Sequence, residues 1–461
     1  MNDEESVPYD LIVLGAGSGG YAAALRGAQL GLSVAMVEVD RVGGTCLHRG
    51  CIPTKALLQS AHVADVVRQG EDFGVLTSLQ GLDMAVMQHR KRTVVDRMHK
   101  GLQSLVSARS IEFIPGRGML TDANTVMVND APVRGRHVVL ATGSRPATLP
   151  GASLSGRVLS SDQALELEWI PSSAIVIGGG VVGVEFASMW RSLGTEVTVV
   201  EALPHLLPGE DEDLSKGLRR AFKKRGITVR TEARVEHVDD RGDQVSITLA
   251  DGTEVTAEVL LVSVGRTPVT AHLGLEDAGV DLVDGFVATD ERLRTSREGI
   301  YAVGDVVRGA QLAHRAFAHG IFVAEEIAGL RPEPVADDTI PRVTYSDPEV
   351  AAVGLTETQA RQEHGEESVQ TGEFNLAGNA RSQIQGVQGL VKLVRVNDGP
   401  IVGAHLIGQG VGELIGEAQL MVGWQAYPED VAPLIHAHPT QNESLGEAAL
   451  ALAGQPLHSN H

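Results

Sequence analysis

Two cysteines stand close together at Cys46 and Cys51, and they are the only cysteines among 461 residues. Pro53 suits the first turn of a helix, so Cys51 is predicted to lie just before a helix N-terminus. Unpaired N–H groups and the helix macrodipole stabilise a thiolate there. Lys55 follows by one helical turn and can face the same side. The segment therefore predicts a redox-active disulfide with one activated sulfur, and two inert buried cysteines are the alternative.

Two glycine-rich turns of one layout must position this chemistry. Each turn follows a short apolar strand and opens a helix, and a second strand then ends in an acid 18 residues after the third glycine. In that context the turn backbone approaches a pyrophosphate at the helix N-terminus, and the acid binds a ribose. The chain therefore contains two copies of a dinucleotide-binding unit. The residues are Gly15, Gly17, Gly20 and Glu38 in the first copy, and Gly178, Gly180, Gly183 and Glu201 in the second.

The second acid predicts which nicotinamide nucleotide binds. Glu201 would repel a 2′-phosphate, and Ala202-Leu203-Pro204 offers no arginine for one, which favours NAD over NADP. The alternative is that Glu201 only ends a strand. Val235 and Gly265 are further candidate contacts to this nucleotide. Two nucleotides beside a dithiol require an intermediary between hydride transfer and thiol exchange, and a flavin supplies it. We expect FAD in the first unit, because that unit leads directly into the cysteines.

The rest of the pattern predicts an α/β protein with two Rossmann-like domains and a C-terminal α+β domain. An amphipathic helix is predicted over residues 84–108, between the two nucleotide units. From about Ile340 the pattern changes to alternating strands, at 342–345, 389–396 and 401–407. Helices are predicted at 411–424 and 440–452.

Composition bounds the partners and the location. Lys and Arg number 38 against 59 Asp and Glu, a formal charge of −21, which repels nucleic acid and anionic membranes. No apolar run approaches the roughly 20 residues of a membrane helix. The start Met1–Ser6 is acidic, unlike a signal peptide, so a cytoplasmic location is expected. There a stable structural disulfide is unusual, whereas a disulfide that cycles is reasonable. No metal site is predicted.

Two motifs resemble one family across nearly the whole chain. Gly-Gly-Thr-Cys-x-x-x-Gly-Cys-Ile-Pro-Thr-Lys at 43–55 resembles the active-site segment of the pyridine nucleotide–disulfide oxidoreductases, and His-Pro-x-x-x-Glu at 438–443 resembles their C-terminal element. The match continues through 343–350 at the start of the last domain. The resemblance implies an FAD-binding region at 1–149, an NAD-binding region at 150–274, a central segment at 275–340 and an interface region at 341–461. It also implies a homodimer.

The resemblance also implies individual roles. Cys46 corresponds to the interchange thiol that meets substrate, and Cys51 to the thiol next to the flavin. Lys55 would pair with Glu185, which shares a helix face with apolar residues and needs a partner there. His438, borrowed from the partner subunit, would be the acid–base group, and Glu443 would fix its tautomer. The remaining positions that match flavin contacts in the family are Thr45, Gly118, Thr142, Gly143, Asp305 and Ala313.

The activity implied by this resemblance is oxidation of dihydrolipoamide to lipoamide with NAD. The implied partners are the lipoyl domains and E2 core of 2-oxo-acid dehydrogenase complexes, or the H-protein of glycine cleavage. A reductase for mycothiol or glutathione disulfide is the nearest alternative within the family. An electron-transfer flavoprotein with an incidental dithiol, and a structural or redox-sensing subunit, are the alternatives outside it. Ser346-Asp347 and His319 depart from the family pattern.

Overall fold

The structure is a computed structural model that describes residues 8–154 and 156–458. The chain divides into two compact units, each built from separate stretches of sequence. Unit 1 comprises residues up to Leu57, Ala85–Ala147 and Gly265–Asp337, and unit 2 comprises Leu58–Met84, Thr148–Val264 and the residues from Asp338 onward. The acidic start Met1–Ser6, on which the expected location partly rests, lies outside the described residues.

The strands and helices are numbered in chain order. The strands are β1 Tyr9–Leu14, β2 Val34–Glu38, β3 Glu112–Pro115, β4 Gly118–Leu120, β5 Thr125–Val128, β6 Ala131–Leu140, β7 Ser144–Pro146, β8 Val158–Leu159, β9 Ser173–Ile177, β10 Glu196–Val200, β11 Thr228–Arg230, β12 Val235–Asp240, β13 Val245–Leu249, β14 Glu254–Ala257, β15 Val259–Val262, β16 Arg266–Pro268, β17 Leu282–Val283, β18 Phe286–Val287, β19 Ile300–Ala302, β20 Arg342–Thr344, β21 Glu349–Gly354, β22 Val369–Asn375, β23 Leu390–Val396 and β24 Ile401–Gly408. The α-helices are α1 Ser18–Gln29, α2 Gly44–Arg49, α3 Cys51–Arg68, α4 Met84–Ala108, α5 Ser161–Ala164, α6 Val181–Ser192, α7 Glu212–Lys224, α8 Ala313–Ile327, α9 Glu357–His364, α10 Ala380–Gln385, α11 Val411–Gly423, α12 Pro428–Val431 and α13 Glu443–Leu452.

Unit 1 is built around a sheet in the order β3-β2-β1-β6-β5-β4, with β19 also paired to β6. The strands β3, β2, β1, β6 and β19 pair in parallel, whereas β4, β5 and the start of β6 pair antiparallel. Leu11, Ile12 and Val13 of β1 are fully buried, as expected for an apolar strand covered on both faces. Helices α1 and α8 approach closely through small residues: a Cβ on Gly320 would lie 2.3 Å from the carbonyl oxygen of Gly19.

Unit 2 contains three sheets. The first is parallel throughout, in the order β11-β10-β9-β15-β8, and it carries the second nucleotide motif. An antiparallel sheet β12-β13-β14 shares a hydrophobic core with it. The third sheet, β20-β21-β24-β23-β22, is antiparallel and packs its core against α11 and α13. We refer to this last sheet and its helices, residues 341–458, as the C-terminal region.

The predicted fold class is confirmed. The repeated strand–turn–helix–strand unit is present in both places, and α4 covers the residues 84–108 that the amphipathic pattern predicted. The predicted helix at 440–452 begins instead at Glu443, because the preceding residues form the turn that carries His438. None of the helices in the described residues is long and apolar enough to cross a membrane.

Candidate active site

The cysteine segment lies directly on the first glycine turn. A short helix, α2, carries Cys46, and α3 begins at Cys51. The expectation that Cys51 precedes the helix is therefore wrong: α3 begins at Cys51, two residues earlier than a start at Pro53 would give. The N–H of Gly43 donates to the carbonyl of Ala16 at 2.8 Å, which ties the start of the cysteine segment to the turn. The thiol pair is thus placed where the first nucleotide motif opens.

The two thiols contact each other, and the surroundings favour the protonated form of one of them. The hydrogen bond between Cys46 and Cys51, followed by burial, raises the pKa of the Cys46 thiol well above its ordinary value. Lys55 and a hydrogen bond with Ser18 act in the opposite direction. Burial and the two cysteines raise the pKa of Tyr21 to about 12, so its hydroxyl stays neutral beside them. Both cysteines are half-buried.

The two candidate ribose acids are held in the same way. In the first unit the Glu38 carboxylate accepts from Ala16 N at 2.7 Å through Oε2 and from Asp40 N at 2.9 Å through Oε1. In the second unit Glu201 accepts from Gly179 N at 2.6 Å through Oε2 and from Leu203 N at 2.7 Å through Oε1. Each donor pair consists of the residue after the first glycine and the second residue after the acid. The predicted repeat therefore extends to the orientation of both carboxylates.

The glycine turns leave the space that a pyrophosphate requires. A Cβ on Gly180 would meet no atom of the described residues within 4 Å, and one on Gly17 would meet only the Gly44 Cα at 4.0 Å among them. The third glycines, Gly20 and Gly183, are needed for packing instead, since a Cβ there would lie 1.8 and 1.9 Å from a carbonyl oxygen. Neither α1 nor α6 has a side-chain N-cap, so their first N–H groups remain available to an anion. The residues present fit two dinucleotides.

Asp305 lies in a polar cluster at the carboxyl end of β19. Ser144 Oγ donates to Asp305 Oδ2 at 2.6 Å, and Arg266 Nε donates to the same hydroxyl at 2.7 Å. Arg266 Nε also lies 3.9 Å from Asp305 Oδ2. The other predicted flavin contacts occupy the following places in unit 1: Thr45 in α2, Gly118 at the start of β4, Thr142 and Gly143 after β6, and Ala313 at the start of α8.

His438 and Glu443 form a hydrogen-bonded pair in the C-terminal region. His438 Nδ1 lies 2.8 Å from Glu443 Oε1, and Thr440 N donates to Glu443 Oε2 at 2.7 Å. Burial alone would raise the pKa of Glu443, but these hydrogen bonds outweigh it and hold the pKa below its ordinary value. The carboxylate is therefore ionised at neutral pH. It accepts the Nδ1 proton of His438, which leaves Nε2 free to accept a proton.

Glu185 lies on the buried face of α6 and is only 3% exposed. Its Oε1 accepts from Tyr345 N at 2.9 Å, a contact within unit 2. Lys55 belongs to unit 1, and its pairing with Glu185 stays a prediction. Val235 begins β12 and packs against an apolar cluster, and Gly265 has φ +116° just before β16. Their proposed contacts to NAD also stay predictions.

Several residues of the site were not anticipated from the sequence. Ser18 hydrogen-bonds to Cys46, and the charges of both cysteines act on Tyr21; the positions of these two residues within and just after the first glycine turn are a usable signal in the sequence. Ser144 and Arg266 reach Asp305 from distant strands, which no local pattern predicts. His319, which departs from the family pattern, is buried in α8, and its Nδ1 accepts from Gly304 N at 3.4 Å.

Comparisons with known families cover most of the chain. The family model described as pyridine nucleotide-disulphide oxidoreductase matches residues 9–320. The model for the dimerisation domain of the same family matches residues 340–449. The chain therefore carries a dimerisation domain, which supports a homodimer.

Relatives and solved structures agree with these matches. The chain is 41% identical to a dihydrolipoyl dehydrogenase of Bacillus subtilis, with 98% of this chain and 99% of the relative covered. It is 37% identical to the mitochondrial dihydrolipoyl dehydrogenase of Pisum sativum, covering 97% and 92% of the two chains. The crystal structure of LpdA from Mycobacterium tuberculosis matches with a TM-score of 0.89 at 28% identity, covering 95% of this chain and 98% of that one. The HOCl-induced flavoprotein disulfide reductase RclA from Escherichia coli matches with a TM-score of 0.84 at 27% identity, covering 95% and 98%. The chain belongs to the pyridine nucleotide-disulphide oxidoreductases.

Proposed function

We propose that this protein is an FAD-dependent dehydrogenase that oxidises dihydrolipoamide to lipoamide and reduces NAD. The observation that carries the proposal is the position of the Cys46–Cys51 pair on the first glycine turn, held there by the Gly43 N–H. A dithiol at that place can pass an electron pair to a nucleotide-bound group. The extent of similarity to dihydrolipoyl dehydrogenases supports the choice of dithiol substrate.

The thiol chemistry runs through the disulfide form of the pair. A substrate thiolate attacks Cys46 Sγ, which forms a mixed disulfide, breaks the Cys46–Cys51 bond and releases Cys51 as a thiolate. The second substrate thiolate then attacks the substrate sulfur that is bonded to Cys46. This closes the lipoamide ring and releases Cys46. Substrate loses two electrons and two protons: the cysteine pair gains the electrons, His438 takes one proton and the released Cys46 sulfur takes the other. The position of Cys51 at the first residue of α3 stabilises its negative charge.

His438 is the proposed base for the substrate thiols. A thiol of ordinary pKa is mostly protonated at neutral pH, whereas the thiolate is the nucleophile. His438 Nε2 would accept that proton while Nδ1–H remains hydrogen-bonded to Glu443. The ionised carboxylate then stabilises the imidazolium that forms. We propose a homodimer in which His438 of each subunit serves the thiols of the other.

The two glycine turns are the proposed nucleotide sites. Gly15, Gly17, Gly20, Glu38 and Asp305 would hold FAD, with Lys55 near the flavin. The second turn and Glu201 would hold NAD. When bound, the flavin would accept an electron pair from the thiols and deliver it to NAD as hydride.

The proposed physiological partners are proteins that carry lipoyl groups. These are the lipoyl domains and E2 core of 2-oxo-acid dehydrogenase complexes, or the H-protein of glycine cleavage. The formal charge of −21 argues against nucleic acid and anionic membranes as partners. We propose a cytoplasmic location.

A steady-state assay of the flavin-loaded protein tests this function. Dihydrolipoamide is offered with NAD and, separately, with NADP. We expect rapid NADH formation and little NADPH. His438→Gln should lower the turnover of dihydrolipoamide by about 10²–10⁴-fold, the usual contribution of general acid–base catalysis, while flavin remains bound.

The competing function is reduction of another small disulfide. The structural similarity to the disulfide reductase RclA supports this alternative. Reduction of glutathione or mycothiol disulfide by NADH or NADPH, without any turnover of dihydrolipoamide, would replace the proposed substrate. An unchanged rate in His438→Gln would refute the assignment of the base.

A further inference from the structure

We propose that Glu417 is a positioning residue for the His438–Glu443 pair. The inference rests on the proposed function, because it concerns the base of that reaction. Glu417 lies on α11, and its two side-chain hydrogen bonds go to residues other than His438. It acts on the turn that carries His438, which we call the base turn and define as residues 436–442.

Glu417 binds both ends of the base turn with one carboxylate. His436 Nε2 donates to Glu417 Oε1 at 2.8 Å, and Asn442 Nδ2 donates to Glu417 Oε2. His436 precedes His438 by two residues, and Asn442 immediately precedes Glu443 at the start of α13. His438 thus lies between two residues that share a single acceptor, and Glu443 directly follows the second of them.

The His436 ring is also confined from the other side. A Cβ on Gly446 of α13 would lie 2.6 Å from His436 Nδ1, so the ring occupies the space that a side chain there would take. The His436 side chain is only 11% exposed, whereas that of His438 is 70% exposed. The buried imidazole is therefore the anchored member of this pair of histidines, and the exposed one is free to meet substrate.

Other contacts hold the middle of the base turn. Asn379 Nδ2 donates to the carbonyl of Thr440 at 2.9 Å, and Thr440 Oγ1 donates to the carbonyl of Ala437 at 2.7 Å. These bonds hold the backbone of the turn, and the bond from Thr440 N to Glu443 Oε2 joins it to the first residue of α13. Glu417 adds a second connection, from His436 at the start of the turn to Asn442 at the start of the helix. Loss of that connection would let His438 Nδ1 move relative to Glu443.

The consequence should be kinetic. Misplacement of a catalytic group by about 1 Å costs about 10²-fold in rate. An interaction that acts only on the base should lower kcat and kcat/KM together and leave the KM for dihydrolipoamide nearly unchanged. Electron transfer from NADH to ferricyanide, which needs no thiol base, should be unaffected.

The test is Glu417→Gln in the flavin-loaded protein. A glutamine has one acceptor oxygen for two donors, so either His436 or Asn442 would face an NH₂ group. The control is Glu413→Gln. Glu413 is an exposed glutamate one turn earlier on α11, so this substitution removes the same charge from the same helix. We expect kcat for dihydrolipoamide to fall about 10²-fold in Glu417→Gln and to stay at the wild-type value in Glu413→Gln.

A second variant perturbs the same contact without changing charge. Gly446→Ala should displace the His436 ring and lower kcat similarly, although alanine favours the helix in which it lies. Because both substitutions act through His436, the double variant should be little worse than either single variant.

Three results would overturn the inference. The first is a kcat in Glu417→Gln equal to that of the control. The second is a double variant of Glu417→Gln and Gly446→Ala whose loss of kcat equals the product of the two single losses. The third is loss of flavin, of thermal stability or of the ferricyanide reaction in Glu417→Gln, which would show a general structural role. Wild-type protein that does not oxidise dihydrolipoamide at all would overturn the proposed function and this inference together.

Discussion

A Cβ on Gly44 would lie only 2.6 Å from the Cα of Gly17, so the cysteine segment and the first glycine turn meet backbone to backbone. Gly44 also has φ +57°, a backbone angle that residues with a side chain rarely adopt. No residue other than glycine fits that contact without a shift of one segment. This glycine therefore sets how closely the cysteine segment approaches the first glycine turn.

Gly44→Ala should separate the two segments and weaken flavin binding. We expect a lower ratio of flavin to protein after purification and a lower thermal midpoint, because alanine at a positive φ and in close contact destabilises by about 1 kcal/mol or more. Gly101→Ala is the matched control, since Gly101 is exposed in α4 and a Cβ there meets no atom of the described residues within 4 Å. Full flavin content in Gly44→Ala would show that the segments can separate without affecting the site.

Cys51→Ser should abolish dihydrolipoamide turnover. A hydroxyl cannot form the disulfide that substrate must attack, so no electron pair can leave the substrate by exchange. Reduction of ferricyanide by NADH should persist, because it bypasses the thiols. The two assays run on one preparation check this, with Cys46→Ser expected to give the same pattern. Near-normal turnover of dihydrolipoamide in either variant would exclude the disulfide mechanism.

Glu201→Gln should weaken the preference for NAD. The Glu201 carboxylate accepts two backbone N–H bonds, and its charge opposes a 2′-phosphate. A neutral amide loses that repulsion and leaves one N–H facing an NH₂ group. We expect the ratio of kcat/KM for NAD to that for NADP to fall about tenfold, the effect of losing one charged hydrogen bond of about 1.5 kcal/mol. Glu38→Gln is the control, and it should change flavin binding but not this ratio.

His405 should make the protein less stable in acid. Its side chain is fully buried, Nε2 donates to the carbonyl of Leu355 at 2.9 Å, and burial lowers the pKa to about 4 from an ordinary 6.5. The unfolded chain therefore binds more protons than the folded one between those values. Stability should fall as pH decreases through this window, by up to about 3 kcal/mol at 1.36 kcal/mol per pKa unit.

Thermal midpoints at pH 7 and pH 4.5 measure this effect. The drop between the two should be smaller in His405→Gln, which keeps a donor for Leu355 but does not titrate. His364→Gln removes an exposed histidine from the same unit and should show the wild-type drop. Equal drops in all three proteins would mean that His405 does not contribute to acid sensitivity.

Strong local patterns predicted the elements that carry the nucleotide motifs. The apolar run of β1, the glycine turn and the acid at the end of β2 are contiguous, so a single stretch of sequence specifies them. The strands β12, β14, β21 and β22 were not predicted. Strand β12, Val235–Asp240, illustrates the reason. Neither of its faces is fully buried, so it carries charged and polar residues and lacks the apolar run that predicts a strand.

The site was predictable only where its residues are neighbours in the chain or share a family motif. His438 and Glu443 are five residues apart within one motif. Glu417 meets His436 across 19 residues, and Arg266 approaches Asp305 across 39, through folding that no local pattern encodes. Contacts of this kind depend on which strands and helices become neighbours, so the three-dimensional structure is needed to find them.

The matching restraint on Glu38 and Glu201 has a consequence for engineering. Two carboxylates held by equivalent backbone donors offer the same acceptor to a ribose diol, so the two acids do not by themselves distinguish FAD from NAD. The short loops after the two strands do differ, since Asp40 and Arg41 follow the first acid and Leu203 and Pro204 follow the second. A redesign that exchanges the FAD and NAD preferences of the two units should therefore start from those two loops, whereas a redesign toward NADP must also remove the negative charge of Glu201.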